Sequence, residues 1–541
     1  MNSNQPSIEA DRRFILEQHQ PFSRSLVWKL QQNFFAQRGI QAWSQGVVPH
    51  YVTSNPYIAR AYSKVVFGFL RDCYSVEPEC TNAEFSPFDP GQPLYIIELG
   101  AGSGRFSFHF LKQFLDVRAR SVLKDVPIKY VMTDFAERNL DYWRTHDSLR
   151  PFVEQGVLDF ALFDAEQDQE IKLIHSGDVL SSETVGNPPV ILANYFFDSI
   201  RHDVFHVRNG QLYESLVTIS SQQEEPDLND PELLNRIKIV YDDHPVGAHY
   251  YEDPDLNRIL RDYQQRMADT SLIFPCLALQ CISRLRHLSG DRLLLISTDQ
   301  GYMHEQSLLG RGEPKMHLHG SFSMMVNYHA IGQYILNQGG RVLHTSHHHV
   351  SINICAFLLG NQAKDYIETR QAYDEAVEKG GPDDFYMLIT AIEKNYEALS
   401  LEQLLAYLRL SGWDAKLFLD CFPALLNNLE SASEQSRQEL HSAIRQVWDS
   451  YYHIGEERDL AFCMAMLLYG IEYHLEALDY FRYSLRLCGP DASTFYNMAM
   501  CHYSLRQLDE TLACVKQTLA LDPTFEAAKT MLIKLQSEIK H

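Results

Sequence analysis

Between residues 94 and 362, short and almost unbroken apolar runs alternate with longer amphipathic stretches. LYIIEL, IKYVMT, VLDFALF, VILANYFF, LLLIST, RVLHTS and INICAFLL read as about seven strands. The first several lack polar alternation, as expected of strands buried on both faces of a parallel sheet. After VILANYFF the pattern changes. DVFHVRNGQLYESLVTI alternates on both sides of Arg208-Asn209-Gly210, which predicts an antiparallel hairpin insertion over about residues 201–220. The acidic segment SSQQEEPDLNDPE that follows reads as an exposed loop. Upstream, SLVWKLQQNFF and YIARAYSKVVFGFLRDCY carry apolar residues at helical spacing, with VPHYVTSNP as a loop between them. EPECTNAEFSPFDPGQP reads as a linker.

Beyond residue 365 strands give way to helical patterns such as LEQLLAYLRL, AKLFLDCFPALLNNL and HSAIRQVW. Near the end, LLYGIEYHLEALDYFRYSLRL and MCHYSLRQLDETLACVKQTLAL align at a 34-residue offset. Tyr469 falls on Tyr503, Leu478 on Leu512, Leu485 on Leu519 and Leu487 on Leu521. That is the tetratricopeptide period, and LDETLACVKQTLALDP resembles the second helix of such a repeat. The expected organisation is an N-terminal helical segment (1–90), an α/β domain (91–362), a helical domain (363–455) and tetratricopeptide-like repeats (456–541). For 541 residues this agrees with domains of roughly 150 residues.

A formal net charge of −23 argues against sequence-independent nucleic-acid binding, which needs cations against phosphate. The ten cysteines include no CxxC pair and several lie in apolar helical patterns, which predicts buried free thiols in a reducing compartment. MNSNQPSIEADRRF has no apolar core for a secretory signal, and its two acids count against a mitochondrial presequence. No stretch approaches the ~20 apolar residues that span a bilayer. The expectation is a cytoplasmic protein with no membrane partner.

The chemistry concentrates in IIELGAGSGRF at residues 96–106. A strand, a turn of Gly100-Ala101-Gly102-Ser103-Gly104 and the helix RFSFHFLKQFL form a nucleotide-binding unit. Its glycines permit a tight turn and a close ligand approach. A dinucleotide site would show G-x-G-x-x-G with an acid about 20 residues on. Here the spacing is G-x-G-x-G with Glu98 just ahead, which suits S-adenosylmethionine. Asp134 ends the second strand, where a carboxylate can accept both ribose hydroxyls. Asp164 ends the third, placed for the adenine amino group. Acids at the carboxyl ends of successive strands converge on one crevice of an open α/β sheet.

Taken in order, these motifs resemble the MidA-like methyltransferase family, which includes the mitochondrial complex I assembly methyltransferases. The resemblance spans roughly residues 45–360. It rests on VTSNPYIARAYSKVVFGFL with Thr53 and Ser54, on GAGSG, on Asn194-Tyr195-Phe196-Phe197-Asp198, on Asp299-Gln300-Gly301-Tyr302 and on HGSFSMMVNYHAIGQYILNQGG. It implies a Rossmann-like class I methyltransferase sheet, S-adenosylmethionine as cofactor and methylation of a protein arginine. Cofactor contacts are then expected from Glu98, Gly100, Gly102, Gly104, Asp134, Asp164, Thr53 and Ser54. Asp198 is the expected substrate-orienting acid, with Asn194 in support. Tyr195 stands where the family has Glu, and Asn327 where its final segment has an acid. A guanidinium stays protonated at ordinary pH and depends on carboxylates to orient it, so these departures leave a changed substrate or a silent domain open.

Asn187-Pro188-Pro189 reads as a turn into the fourth strand. HTSHHHV offers His344, His347, His348 and His349, of which His347 and His349 would share a face on a strand; no carboxylate or cysteine spacing supports a metal, and none is expected. The resemblance turns His317, His319 and His329 toward the crevice, where packing is the simpler role. Two functions therefore stand: a protein methyltransferase whose helical tail helps select its substrate, or an adaptor that keeps the methyltransferase shape while the tail recruits partners.

Overall fold

The computed structural model describes residues 13–74, 88–247, 249–347, 351–360 and 365–538. Most of the linker EPECTNAEFSPFDPGQP lies outside them. The chain divides into two compact units, Met1–Met387 and Leu388–His541.

The first unit is built on a seven-stranded sheet: β1 Leu94–Leu99, β2 Ile128–Asp134, β3 Leu158–Leu162, β4 Val190–Asn194, β5 Leu293–Asp299, β6 Arg341–Leu343 and β7 Asn353–Leu359. Their order is β3-β2-β1-β4-β5-β7-β6. β1 to β5 pair in parallel, whereas β7 runs antiparallel to both β5 and β6. All seven coincide with the apolar runs. Every residue of β1 and β5 is buried, which is why these runs carry no polar alternation. The sheet reverses its order between β1 and β4, and the crevice of such a sheet opens at the carboxyl ends on either side of that point.

The expected hairpin forms from Asp203–Arg208 and Gln211–Ser221, closed by Asn209 and Gly210 with φ of 51° and 72°. It is part of something larger than the predicted insertion. Phe14–Gln20, Ile237–Pro245 and Asp269–Phe274 join it in a five-stranded antiparallel sheet. The N-terminal segment is therefore not all helical. Beneath this sheet Phe22, Trp28, Val217 and Phe322 form a second core, and the Trp28 indole donates to the Phe22 carbonyl at 2.8 Å. This anchors the helix Leu26–Arg38, which leads to the short turn carrying Trp43.

VPHYVTSNP is not a plain loop: Tyr51–Ser54 makes one helical turn, and Asn55 then accepts from the Ile58 N–H at 3.0 Å to start the helix Pro56–Tyr74. That helix packs on Arg105–Ala119, with Phe67 and Phe114 4.7 Å apart. Its Asp72 accepts from the Thr369 N–H at 2.8 Å and hydroxyl at 2.6 Å, tying the helix Ile367–Tyr373 to the same unit.

The second unit is helical, including Leu401–Ser411, Ala415–Asn427, Glu434–Asp449, Leu460–Gly470, His474–Cys488, Ala492–Ser504, Leu508–Leu521 and Glu526–Glu538. Ser400 and Gln403 form a capping box, and Asp414, Ser433, Asp459 and Asp491 cap later helices. His474–Cys488 and Leu508–Leu521 begin 34 residues apart, and Ala499, Val515, Ala528 and Leu535 pack between the last three helices. Among the described residues no helix is long and apolar enough to cross a membrane, and the described cysteines are free thiols.

Candidate active site

The loop after β1 takes the shape its glycines allow. Gly100, Gly102 and Gly104 have φ of 62°, 53° and 77°, in the left-handed region that disfavours a Cβ. Gly100 and Gly102 also lack room: a Cβ would lie 2.9 Å from the Phe196 ring and 2.9 Å from the Trp43 ring respectively. The Ala101 N–H reaches the Thr133 carbonyl at 2.9 Å and fastens the loop to β2. Gly104, expected to contact cofactor, lines neither cavity described below. It is the N-cap of Arg105–Ala119, so its role is the turn itself.

Two cavities meet at this loop. The larger, about 310 Å³, lies beside Gly100 and Gly102 and gathers Thr53, Ser54, Glu98, Asn194 and Asp198. The smaller, about 110 Å³, holds Asp134 and Asp164 beside Phe135 and Phe163. Phe35, Trp43 and Tyr195 wall both. Phe35 and Trp43 stack at 5.8 Å, so the N-terminal segment covers the loop. The aromatic pair was not foreseen in the sequence because the helix carrying Phe35 and the turn carrying Trp43 lie far from the sheet in the chain.

Each acid has protein partners. Asp134 Oδ2 accepts from the Gly102 N–H at 3.2 Å and from Asn139 Nδ2 at 2.9 Å, and Oδ1 from the Ala136 N–H at 3.0 Å. Burial raises its pKa against these hydrogen bonds. Asp164 lies two residues beyond the end of β3 rather than on it. Its oxygens accept from the Glu166 N–H and the Gln167 side chain, both at 2.9 Å. A carboxylate oxygen has two acceptor sites, so both acids keep capacity for a diol or an amino group. Glu98 Oε2 accepts from Tyr130 at 2.7 Å and from the Ser107 hydroxyl. Burial pushes its pKa up to about 7 against those two bonds. S-adenosylmethionine fits this donor set: hydroxyls and an amide beside the loop, a carboxylate at the end of β2, and aromatic faces in the smaller cavity.

The opposite wall is built from distant segments. Directly after β4, Tyr195 adopts φ 48° with its N–H on the Thr298 carbonyl at 2.8 Å, a strained conformation of the kind found at ligand clamps. Asn194 accepts from the Tyr62 hydroxyl at 2.7 Å and contacts the Thr53 carbonyl at 3.4 Å. Asp198 is 7% exposed and accepts from the Ser199 hydroxyl at 2.7 Å. Burial pushes its pKa up to about 6. Asp299, the last residue of β5, is wholly buried. Its Oδ2 accepts from the Phe197 N–H at 3.2 Å and from Tyr328 at 3.1 Å. No role was read for it in the sequence, although it ends a strand as Asp134 does.

The two departures separate here. Tyr195 faces the cavities; Asn327 lines neither. Asn327 caps the helix Tyr328–Asn337, accepting from the Ala330 N–H at 2.9 Å and donating to the Ile273 carbonyl at 3.0 Å. Its replacement of an acid bears on packing. His317 and His319 do line the larger cavity, whereas His329 pairs with the Tyr263 hydroxyl at 2.9 Å and lines neither cavity. β6 ends at Leu343, so the expected strand face for His347 is not formed; His348 and His349 lie outside the described residues. His50, not foreseen, lines the larger cavity 3.2 Å from Arg105. Its pKa is lowered to about 4, first by burial and then by Arg105.

Residues 81–341 match a family model described as "Putative S-adenosyl-L-methionine-dependent methyltransferase". Two solved structures from Burkholderia thailandensis are also similar. One is a native crystal structure of an uncharacterized protein, at 11% identity over 64% of this chain and 89% of that one, TM-score 0.39. The other is described as a "likely methyl transferase" bound to S-adenosyl-homocysteine, at 12% identity over 67% and 85%, TM-score 0.38. No curated protein matches the chain. Through the family match, the chain is an S-adenosyl-L-methionine-dependent methyltransferase and S-adenosyl-L-methionine is its cofactor.

Proposed function

We propose that this methyltransferase modifies a protein, with an arginine guanidinium held by Asp198 and Asn194 as the acceptor and the helical repeats of the second unit selecting the substrate. The observation that carries this reading is the placement of Asp198 on the larger cavity together with Asn194 and the glycine loop. A carboxylate there can pair with a cation and orient one nitrogen toward an electrophilic methyl group, which is the positioning that a poor nucleophile requires. Tritium-labelled S-adenosylmethionine added to a lysate with the full chain should label a discrete protein. Acid hydrolysis of that protein should release labelled methylarginine. Label on another amino acid would remove arginine from the proposal, and no protein label would remove the protein substrate.

The adaptor reading has its own support. Trp43 packs against Gly102, where a ligand would approach the loop, and Tyr195 stands where the resembled family has an acid. In that case the chain uses its repeats to recruit partners. Isothermal titration separates the two: no cofactor binding at millimolar concentration would favour the adaptor.

A further inference from the structure

The strands Phe14–Gln20 and Ile237–Pro245 lie on opposite sides of Gln211–Ser221, since Val217 pairs with Gln20 on one side and with Tyr241 on the other. Three side chains from these outer strands nevertheless meet. Asp242 and His244 are two residues apart and so share a face of their strand. His19 reaches them through a bulge. Between Glu17 and Gln20 its strand holds one residue more than its partner, and His19 has φ 50°; a bulge of this kind re-aims a side chain. One carboxylate oxygen, Asp242 Oδ2, then lies 3.4 Å from His19 Nδ1 and 3.0 Å from His244 Nε2. The three donor atoms lie within 4.8 Å of one another, and all three side chains are half-exposed.

Those separations suit a metal ion: donors bound to a tetrahedral zinc lie about 3.4 Å apart. Two imidazole nitrogens and one carboxylate oxygen are ligands for a borderline divalent ion, whereas calcium and magnesium take mostly oxygen. A second histidine cluster on the same sheet shows the contrast. His206 has Nδ1 on Asp243 and Nε2 on Asp269, both at 2.8 Å, and Asp243 also accepts from Arg208 at 2.9 Å. Both ring nitrogens are engaged there, and the fixed positive charge of Arg208 repels a metal. Asp242 instead meets two imidazoles, which ligate in their neutral form. We propose that His19, Asp242 and His244 form a zinc(II) site, with a fourth position open to water, that clips the N-terminal strand across the second sheet. No metal was expected from the sequence, because the ligands come from strands far apart in the chain. The clipped strand leads into the helix Leu26–Arg38 and the turn with Trp43, so the ion also steadies the cover of the crevice.

The test titrates the full chain, stripped of metal by a chelator, with zinc chloride in a calorimeter, beside His19→Ala, His244→Ala and Asp242→Ala. The side chains are exposed, so the variants should fold, which circular dichroism checks. Wild type should bind one equivalent that each variant binds at least about 10-fold more weakly, and magnesium or calcium chloride should not compete for it. Hydrogen exchange over Phe14–Gln20 should slow at least about 10-fold when zinc is added to wild type and stay unchanged in His19→Ala, since an ion that binds only the closed strand suppresses its opening. Zinc bound equally by wild type and all three variants would place it on other histidines, such as those of HTSHHHV, and would overturn the proposal. So would wild type that binds no zinc, which leaves a hydrogen-bonded His–Asp–His cluster only, or exchange that zinc does not slow. These readouts need neither cofactor nor methyl acceptor.

Discussion

The two walls of the crevice use their acids in opposite ways. On the loop wall, Asp134 and Asp164 are held by N–H donors from the turns that follow their own strands, and Asp134 also by Gly102. On the acceptor wall, Asp198 lies four residues beyond β4 and Asp299 ends β5; burial raises the pKa of both, and the charge of Asp198 raises that of Asp299 further. N–H donors favour a charged carboxylate, whereas a second carboxylate disfavours it. The loop wall is thus suited to accepting hydrogen bonds from a neutral diol or amine, and the acceptor wall to trading a proton. On the proposed function, binding and turnover rest on separate sets of residues and should be separable by mutation.

The largest effect is expected at the loop. Gly102→Arg should abolish cofactor binding in isothermal titration, since φ is 53° and a Cβ already meets Trp43 at 2.9 Å. Gly102→Ala should weaken binding by about tenfold or more. Adding Trp43→Ala to that variant sharpens the cause: recovery indicates a clash with the ring, and no recovery indicates backbone strain, which costs roughly 1–3 kcal/mol.

A smaller effect is expected at Asp134→Asn. It sets an amide donor against the Gly102, Ala136 or Asn139 donors, at about 1–3 kcal/mol for the unsatisfied group. Cofactor affinity should fall about 10–100-fold with a lower melting temperature. An unchanged affinity would mean that Asp134 serves the loop alone and would break the contrast between the walls.

The last effect depends on pH. Glu98 has its pKa raised from 4.5 to about 7 by burial. Its native form therefore holds a proton that the unfolded chain releases between those values, and its contribution to stability declines as pH rises from 4.5 through 7. Glu98→Gln, the isostere of the protonated form, should change the melting temperature least at pH 5, close to the unfolded value. At pH 9, above both values, it should raise stability by about 3 kcal/mol. Calorimetry across that range checks the sign; a gain at pH 5 that vanishes at pH 9 would contradict it.

The same contrast explains what could be read from the sequence. The loop wall is local: Glu98, the three glycines and Asp134 lie on two consecutive strands and the turns after them, so apolar runs and glycine spacing locate them together. The seven strands were legible because both faces of the sheet are covered. The second sheet was legible only at its Asn209-Gly210 turn. Phe14–Gln20 is largely exposed and polar, and its partner Gln211–Ser221 lies some 200 residues away, so no local pattern betrays it. Ile237–Pro245 alternates, but ends in Asp-Asp-His-Pro, which reads as loop. On the acceptor wall, residue type misled: Asn327 looked like a lost substrate acid and is a helix cap. Asp299 was legible only as part of the Asp299-Gln300-Gly301-Tyr302 strand end, with no role attached to it. Trp43 covers the loop only because the N-terminal helix is pinned to the second sheet.

The central claim is that the loop wall holds the cofactor while Asp198 on the facing wall governs transfer. The direct measurement is the rate at which a tritiated methyl group passes from saturating S-adenosylmethionine into lysate protein, for wild type and Asp198→Asn side by side with their cofactor affinities. Affinity should be equal and the rate lower by at least about 100-fold in the variant. Equal rates at equal affinity would contradict it.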